Sequence, residues 1–172
     1  MRSFVVSLIL LAACTAFAQQ PPDAQELITR EFGPSFKVAA GFTPMFGDMD
    51  SDGQEDAVVV VTSESPLVDE IEFKYRAIDP YDAYWGWGNP RETVQFSMTS
   101  AGPLRYLAIV HNWRAPKVKF LVINLPFEKL VLSRVLLKKK PVLSVHTIES
   151  TSLESDLFWT GKKYKWNPGA TN

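Results

Sequence analysis

Four aspartates and a glycine occur at short, regular spacing just before a strongly apolar run. The aspartates are Asp48, Asp50, Asp52 and Asp56. Carboxylates on alternate residues of a tight loop can converge on one point, and calcium takes about six to eight oxygen ligands. Gly53 permits the sharp backbone turn that brings the carbonyl of Gln54 round as a further ligand. The spacing therefore predicts a calcium-binding loop within residues 46–60.

Electrostatic repulsion supports that prediction. Several carboxylates held this close together would repel one another and destabilise the loop unless a cation lies among them. A second interpretation stays open, in which the aspartates and Gly53 form an acidic surface turn and serve turn geometry alone. The two interpretations differ in whether calcium stabilises the folded protein.

The residues after the loop argue against a helix-loop-helix calcium site. Such a site has a bidentate glutamate at its twelfth position, which counted from Asp48 is Val59, a residue with no side-chain oxygen. The run Ala57–Thr62 is rich in β-branched residues and predicts a strand where that motif would begin its second helix. We therefore expect a loop between two strands.

The loop and the strand after it resemble the FG-GAP (VCBS-type) repeat of integrin-like propeller blades, which also occurs in exported bacterial proteins. In that repeat a G-D-x-[DN]-x-D-G-x-x-D loop precedes an apolar strand. The matching residues are Gly47, Asp48, Asp50, Asp52, Gly53 and Asp56, followed by Ala57–Val60. The resemblance implies that the four aspartate side chains and the carbonyl of Gln54 bind calcium. A propeller needs about four or more blades, and this chain has one such loop, so a closed propeller is not expected.

The N-terminus has the composition of an export signal. Residues 1–18 contain an early Arg2, the apolar run Phe4–Ala13 and the small-x-small triplet Ala16–Ala18, which is typical of a cleaved signal peptide. The protein is then exported to the periplasm or the medium, and residues 19–172 form the mature chain. Another interpretation is open, because Leu11–Cys14 resembles a lipobox and would anchor the protein through an acylated Cys14.

Length and charge limit the architecture and the partners. The chain has 172 residues, 46% of them hydrophobic, which suits one well-buried domain. Its formal net charge of -1 lacks the excess of basic residues that nucleic acid binding requires. No segment after the leader has the roughly 20 apolar residues that a transmembrane helix needs. We expect neither a nucleic acid partner nor a membrane span.

The remaining pattern predicts a mainly β (α+β) fold with antiparallel sheets and one short N-terminal helix. The helix begins after Asp23, which is a suitable N-cap, and stops at Gly33 and Pro34. Alternating or continuous apolar runs between turn residues predict the strands. They are Ala57–Thr62, Glu70–Arg76, Glu92–Met98, Leu104–Val110, Val118–Ile123, Val142–Ile148 and a hairpin around Gly161. The apolar residues of Phe127–Leu137 fit neither the helical nor the strand period well, so that segment is open between the two, and a strand is favoured.

Few other residues form a chemical pattern. Tyr81, Tyr84, Trp85 and Trp87 crowd a predicted loop, where aromatic rings either bind a ligand or fold back onto the sheet. His111 and His146 have no neighbours at metal-ligand spacing and are interpreted as strand residues. The run Lys138–Lys140 is interpreted as a solvated turn.

Together these observations predict an exported calcium-binding β-domain in which calcium is chiefly structural. Its expected role is that of an interaction module of the envelope or periplasm, with a protein or glycan ligand at the aromatic loop. The alternatives are a secreted hydrolase with paired carboxylates, such as Asp69 with Glu70 or Glu149 with Glu154, and a lipid-anchored structural protein. The sequence leaves any enzymatic activity, the partner and the oligomeric state open.

Overall fold

A computed structural model describes residues 23–85, 104–150 and 153–169 of the chain. Three helices lie in these ranges: α1 (Ala24–Phe32), α2 (Glu70–Phe73) and α3 (Pro80–Trp85). The strands of the first sheet are β1 (Lys37–Val38), β2 (Met45–Gly47), β3 (Asp56–Thr62), β4 (Arg76–Ile78), β5 (Arg105–His111) and β6 (Val118–Val122). Those of the second sheet are β7 (Lys129–Leu137), β8 (Lys140–Ser150), β9 (Leu153–Trp159) and β10 (Tyr164–Pro168). The mainly β, α+β fold predicted from the sequence is confirmed.

The N-terminal helix α1 has the predicted limits. The Asp23 side chain accepts hydrogen bonds from the backbone N–H groups of Gln25 (2.7 Å) and Glu26 (3.2 Å), which satisfies two donors of the first turn. At its other end, Gly33 has a φ of +104°, a conformation that residues with a Cβ rarely adopt. Leu27, Ile28 and Phe32 form its buried face. That face packs against the first sheet, as a helix this short requires.

The first sheet is centred on two fully apolar strands. Its order is β1-β3-β5-β6-β4, and β2 pairs with β3 beside β1. The pairs are antiparallel apart from β4 and β6, which run parallel, so this sheet is mixed. Strands β3 and β5 are buried along nearly their whole length, as their continuous apolar sequences indicated.

The second sheet is an antiparallel meander of order β10-β9-β8-β7. Lys138 and Lys139 connect β7 to β8 with φ values of 51° and 68°, as in the two-residue type I′ turn that matches strand twist. The lysine run is therefore an exposed turn, as predicted. The closing hairpin around Gly161 is also confirmed by the pairing of β9 with β10.

Two apolar clusters join these elements into three layers. The first cluster lies between α1 and one face of the first sheet and contains Phe32, Phe36 and Tyr75. The second lies between the two sheets, where Val58, Ile109 and Phe120 of the first meet residues of the second such as Val145, Leu157 and Tyr164. Because both sheets contribute to one cluster, the described residues form a single folded unit.

The predicted strand Glu70–Arg76 is wrong. Glu70–Phe73 forms the short helix α2, Lys74 adopts the left-handed conformation (φ 55°) at its C-terminus, and the strand begins only at Arg76. The alternation of Ile71 with charged residues suggested a half-buried strand, yet Ile71 is 85% exposed. Asp69 at the N-cap and two glutamates in the first turn favour a helix start, and this local preference prevails where no strand partner is present.

The loop predicted for the aromatic segment is also wrong, because Pro80–Trp85 forms the helix α3. Proline at the first helical position supplies the φ that a helix needs. It also lacks the backbone N–H, which would have no hydrogen-bonding partner within the helix at that position. Several predictions lie outside the described residues: the leader 1–18 with Cys14, the strand Glu92–Met98, and Trp87. None of the helices in the described ranges combines the length and apolar character needed to cross a bilayer.

Candidate metal centre

The acidic loop connects β2 to β3, which pair with each other and hold its two ends together. Gly47 lies opposite Asp56 in that pair, so the loop between them is closed at its base. A Cβ on Gly47 would lie 2.5 Å from Cδ2 of Leu143, a residue of the second sheet. A side chain at this position would have to displace Leu143, so β8 packs closely against the strand that leads into the loop. This is the strand-loop-strand arrangement expected from the sequence.

The outer half of the loop is folded by its own carboxylates. Asp48 accepts hydrogen bonds from the N–H groups of Asp52 and Gly53, both at 3.0 Å. The Asp52 N–H also lies 3.1 Å from Oδ1 of Asp50, and Oδ1 of Asp52 accepts from the N–H of Gln54 at 2.8 Å. One carboxylate oxygen from each of Asp48, Asp50 and Asp52 lies within 4.8 Å of the others. The loop thus brings together, near the surface, three carboxylate oxygens of the kind that hard cations bind.

The inner half of the loop is bonded to distant parts of the chain. Asp56 is 0% exposed, and its two oxygens accept from the N–H groups of Met49 and Asn112, both at 2.8 Å. Oδ2 of Asp50 lies 3.1 Å from Nδ1 of His111, at the end of β5. Asp50, Asp56 and His111 form a second group whose ligand atoms lie within 4.8 Å of one another. Asp50 is the residue that the two groups share.

Burial is the main influence on the charge of the inner carboxylates. It raises the pKa of Asp50, an effect that His111 opposes and the neighbouring Asp52 increases. Burial likewise raises the pKa of Asp56, against the stabilising N–H of Asn112 and the nearby His111. Removing these carboxylates from water disfavours their charged forms. A positive charge among them would therefore be favourable.

His111 connects the loop to the second sheet. Its Nε2 lies 2.7 Å from the hydroxyl of Tyr164, so both ring nitrogens have hydrogen-bonding partners. The ring packs against Phe120 and Trp159 within the core between the sheets. Burial raises the pKa of Tyr164 well above its ordinary value, with Asp56 and Asp50 adding to the effect, so this hydroxyl stays neutral. A continuous series of contacts runs from Asp50 through His111 to Tyr164.

The structure places the five predicted ligands in different surroundings. Asp48, Asp50 and Asp52 come together, and Asp56 lies at the inner side with Asp50. Gln54 is exposed, and its backbone N–H is bonded to Asp52. Each Asp56 oxygen accepts one described N–H, and a carboxylate oxygen has about two acceptor positions. The role of Asp56 as a ligand therefore remains a prediction compatible with its hydrogen bonds.

Sequence reasoning missed His111 as a member of this site. The sequence correctly indicates a strand residue, since His111 ends β5, but shows no neighbour for it at metal-ligand spacing. Its contact with Asp50 comes from the pairing of β3 with β5, which places Ala57 opposite Val110 and so brings the end of β5 beside the loop. Only that pairing could have revealed it, because no local spacing links residues so far apart.

His146 lies in a separate polar cluster on the second sheet. Its Nδ1 is 3.3 Å from Asp156 and its Nε2 is 3.5 Å from Glu154, while Ser144 donates to Asp156 at 3.0 Å. The two carboxylates face opposite nitrogens of one ring, so these ligand atoms do not converge on a point. His146 is a strand residue, as interpreted from the sequence.

One described aromatic side chain of the predicted ligand-binding segment packs on its own chain. Tyr84 is 51% exposed, and its ring centre lies 5.2 Å from that of Trp166 at an angle of 82°. Such an edge-to-face contact stabilises the position of α3 against the closing hairpin. The side chains of Tyr81 and Trp85 lie outside the described part of the structure.

Comparison of the chain with known protein families, with characterised proteins and with solved structures gives no significant match. The resemblance to the FG-GAP repeat therefore rests on the loop residues themselves.

Proposed function

We propose that this protein is an exported calcium-binding β-domain, in which calcium stabilises the loop between β2 and β3 and the domain acts as an interaction module of the envelope or periplasm. The observation that carries the proposal is the convergence of oxygens from Asp48, Asp50 and Asp52 within 4.8 Å of one another. Calcium prefers carboxylate and carbonyl oxygens. The loop offers no thiolate, since the chain's one cysteine is Cys14.

The charge balance of the loop supports a dication. Three carboxylates share a small volume, and the N–H groups that face them carry only partial charge. The fourth, Asp56, is fully buried and adds to the negative field from the inner side. A doubly charged ion offsets this repulsion more completely than backbone dipoles can.

The connections of the loop support the proposal that the role of the ion is structural. Asp56 fixes the loop to the backbone of Met49 and Asn112, and Asp50 contacts His111, so β2, β3 and β5 meet at this point. An ion that tightens the outer half would add to an anchorage that already exists. We expect a dissociation constant on the order of 0.1–1 mM, the range of extracellular calcium modules.

Thermal unfolding with calcium and with chelator tests the proposal. A ligand that binds only the folded state adds about 1.4 kcal/mol at ten times its dissociation constant. For a chain of this length that corresponds to a rise in Tm of about 3–5 °C. Asp52→Ala should abolish the rise, because Asp52 is exposed and its side chain serves the loop alone.

Two controls sharpen that measurement. Glu149→Ala removes an exposed carboxylate far from the loop and should leave the calcium response unchanged. Magnesium at the same concentration should stabilise much less, because it demands a tighter octahedral site. Equal Tm values in calcium and chelator, or an unchanged response in Asp52→Ala, would contradict the proposal.

Export is tested separately by the mass of the protein recovered from cells. We expect the chain to begin at Gln19, after removal of residues 1–18. A protein that begins at an acylated Cys14 would instead establish lipid anchoring, and an uncleaved chain in the cytoplasm would contradict export.

A further inference from the structure

The long outer strand of the second sheet has a free edge in the described part of the chain. Strand β7 has nine residues and pairs with β8 on one side, while no described strand pairs with its other side. It contains no proline, its register with β8 is continuous, and Val131 and Leu136 are 51% and 77% exposed, while its two charged residues are Lys129 and Arg134. Natural proteins usually protect an edge of this kind with proline, bulges or charges, because unpaired N–H and C=O groups recruit another strand.

We propose that this edge is a homodimer interface, in which β7 pairs antiparallel with β7 of a second copy about a twofold axis at Ser133. The two second sheets then join into one continuous sheet. The inference is independent of calcium binding and adds an interaction surface that the loop does not provide.

Hydrogen bonding fixes which residues can pair in this way. The two-residue turn makes Leu137 and Lys140 a hydrogen-bonded pair, and in an antiparallel ladder such pairs alternate along the strands. The backbone N–H and C=O groups that β7 directs away from β8 therefore belong to Leu130, Leu132, Arg134 and Leu136. A twofold at Ser133 places Leu130 opposite Leu136 and Leu132 opposite Arg134. All four residues meet a partner whose backbone groups also point outward.

Side chains are complementary in the same register. Exposed Leu136 is covered by Leu130 of the second copy, and half-exposed Val131 meets Val135. Cross-strand pairs of branched apolar residues stabilise a sheet by about 0.2–1 kcal/mol each. Just beyond the strand ends, Glu128 comes opposite Lys138 of the other copy, and both side chains are exposed. The symmetric pair therefore gains two such attractions between opposite charges.

The neighbouring registers with the same hydrogen-bond alternation are less favourable. An axis at Arg134 would place two guanidinium groups directly opposite each other, and like charges in that position are destabilising. An axis at Leu132 would place Glu128 opposite Leu136 and lose the contact with Lys138. Of the three, the twofold at Ser133 is the arrangement that places Glu128 opposite Lys138 and moves the two guanidinium groups off directly opposite positions, with Arg134 facing Leu132.

Disulfide formation at single sites tests the axis directly. In the full chain with Cys14→Ser, a Ser133→Cys substitution faces itself across the dimer, at a non-hydrogen-bonded position where Cα atoms lie about 4.5 Å apart. This lies within the range of about 4.4–6.8 Å that a disulfide requires. The matched control Val135→Cys lies on the same face, but its two copies are about 14 Å apart at roughly 3.4 Å per residue.

We expect the Ser133→Cys protein to form covalent dimers under mild oxidation and the Val135→Cys protein to remain uncrosslinked. Equal crosslinking of the two variants, or none in either, would overturn the proposed axis. Light scattering of the unsubstituted protein should give a dimer at about 50 µM, a concentration above the micromolar dissociation constants at the weak end of specific interfaces. A monomer at that concentration would overturn the proposal altogether.

Charge reversal provides an independent check with its own rescue. Glu128→Lys and Lys138→Glu each place like charges opposite one another at two symmetric positions and should weaken dimerisation by about tenfold. The double variant restores opposite charges and should recover the original affinity. Lys162→Glu, in the turn of the other hairpin, is the matched control and should change nothing. Failure of the double variant to recover would show that these residues do not face each other.

Discussion

The two halves of the acidic loop contain the same residue type in opposite surroundings. In the outer half, Asp48 and Asp52 accept hydrogen bonds from N–H groups at most five residues away. In the inner half, Asp56 is fully buried and bonded to Asn112, and Asp50 contacts His111. The outer aspartates therefore shape the loop, while the inner ones attach it to the sheets. Asp48 and Asp52 should therefore matter for calcium, Asp56 for folding in its absence, and Asp50, which belongs to both groups, for both.

Substitutions in the inner half of the loop should cause the largest loss of stability. Asp56→Asn replaces one of two buried acceptor oxygens by a donor that faces a backbone N–H. We expect a loss of about 3 kcal/mol in the free energy of unfolding, even in chelator, because a buried donor is left unsatisfied. Chemical denaturation measures it. A loss below about 0.5 kcal/mol, the level of an ordinary surface substitution, would show that Asp56 does not anchor the loop.

The contact between the loop and the second sheet should contribute less to the free energy of unfolding than Asp56 does. Tyr164→Phe removes the hydroxyl that lies 2.7 Å from His111 and keeps the ring in the core. We expect a loss of about 1–2 kcal/mol in chelator, typical of a buried hydrogen bond whose partner stays behind. The Tm increase caused by calcium should persist, because the oxygens of Asp48 and Asp52 are untouched. A variant that keeps its stability but no longer responds to calcium would reverse the assignment of the two halves.

Glycine positions separate backbone strain from metal binding. Gly53 and Gly161 have φ values of 83° and 90°, and a Cβ on either would meet no atom within 4 Å. Substitution of either glycine by alanine should therefore lower the free energy of unfolding by about 1 kcal/mol through backbone strain alone. Gly53→Ala should also reduce the calcium response, whereas Gly161→Ala in the C-terminal hairpin should not. Identical calcium responses would indicate that the loop tolerates distortion and does not form a tight site.

Substitutions in the outer half of the loop should have the smallest effect on stability in chelator. Asp52→Asn keeps an oxygen that can accept from the N–H of Gln54 and removes one negative charge from an exposed position. We expect less than about 0.5 kcal/mol of change without calcium, as for most surface substitutions. In calcium the variant should lose its stabilisation. A large loss of stability in chelator would show that Asp52 is required by the fold itself.

The sequence predicted the elements whose local pattern agrees with their final environment. The capped helix α1, the apolar strands β3 and β5 and the turn-bounded hairpins all belong to this group. It failed for Glu70–Phe73, where an alternating pattern coincides with helix-starting residues and Ile71 remains exposed. The local hydrophobic periodicity cannot distinguish helix from strand in such a segment, because the outcome depends on whether a partner strand is available.

The site was predictable to a similar degree. The spacing of Asp48, Asp50 and Asp52 predicts that their side chains converge, and in the structure their carboxylate oxygens do lie close together. Spacing could not distinguish buried Asp56 from exposed Asp52, because that difference arises from the approach of β5. For the same reason it could not include His111. Contacts between distant strands determine which carboxylates of a loop lose their water.

The most direct test of the central claim is a calcium titration followed by nuclear magnetic resonance of the backbone amides. The N–H groups of Asp52, Gly53 and Gln54 donate to the proposed ligands, so their signals should shift and saturate with a dissociation constant on the order of 0.1–1 mM. The signal of Gly161 should not move. If the three loop amides stay unchanged up to about 10 mM calcium, above the range of extracellular sites, the loop does not bind the ion.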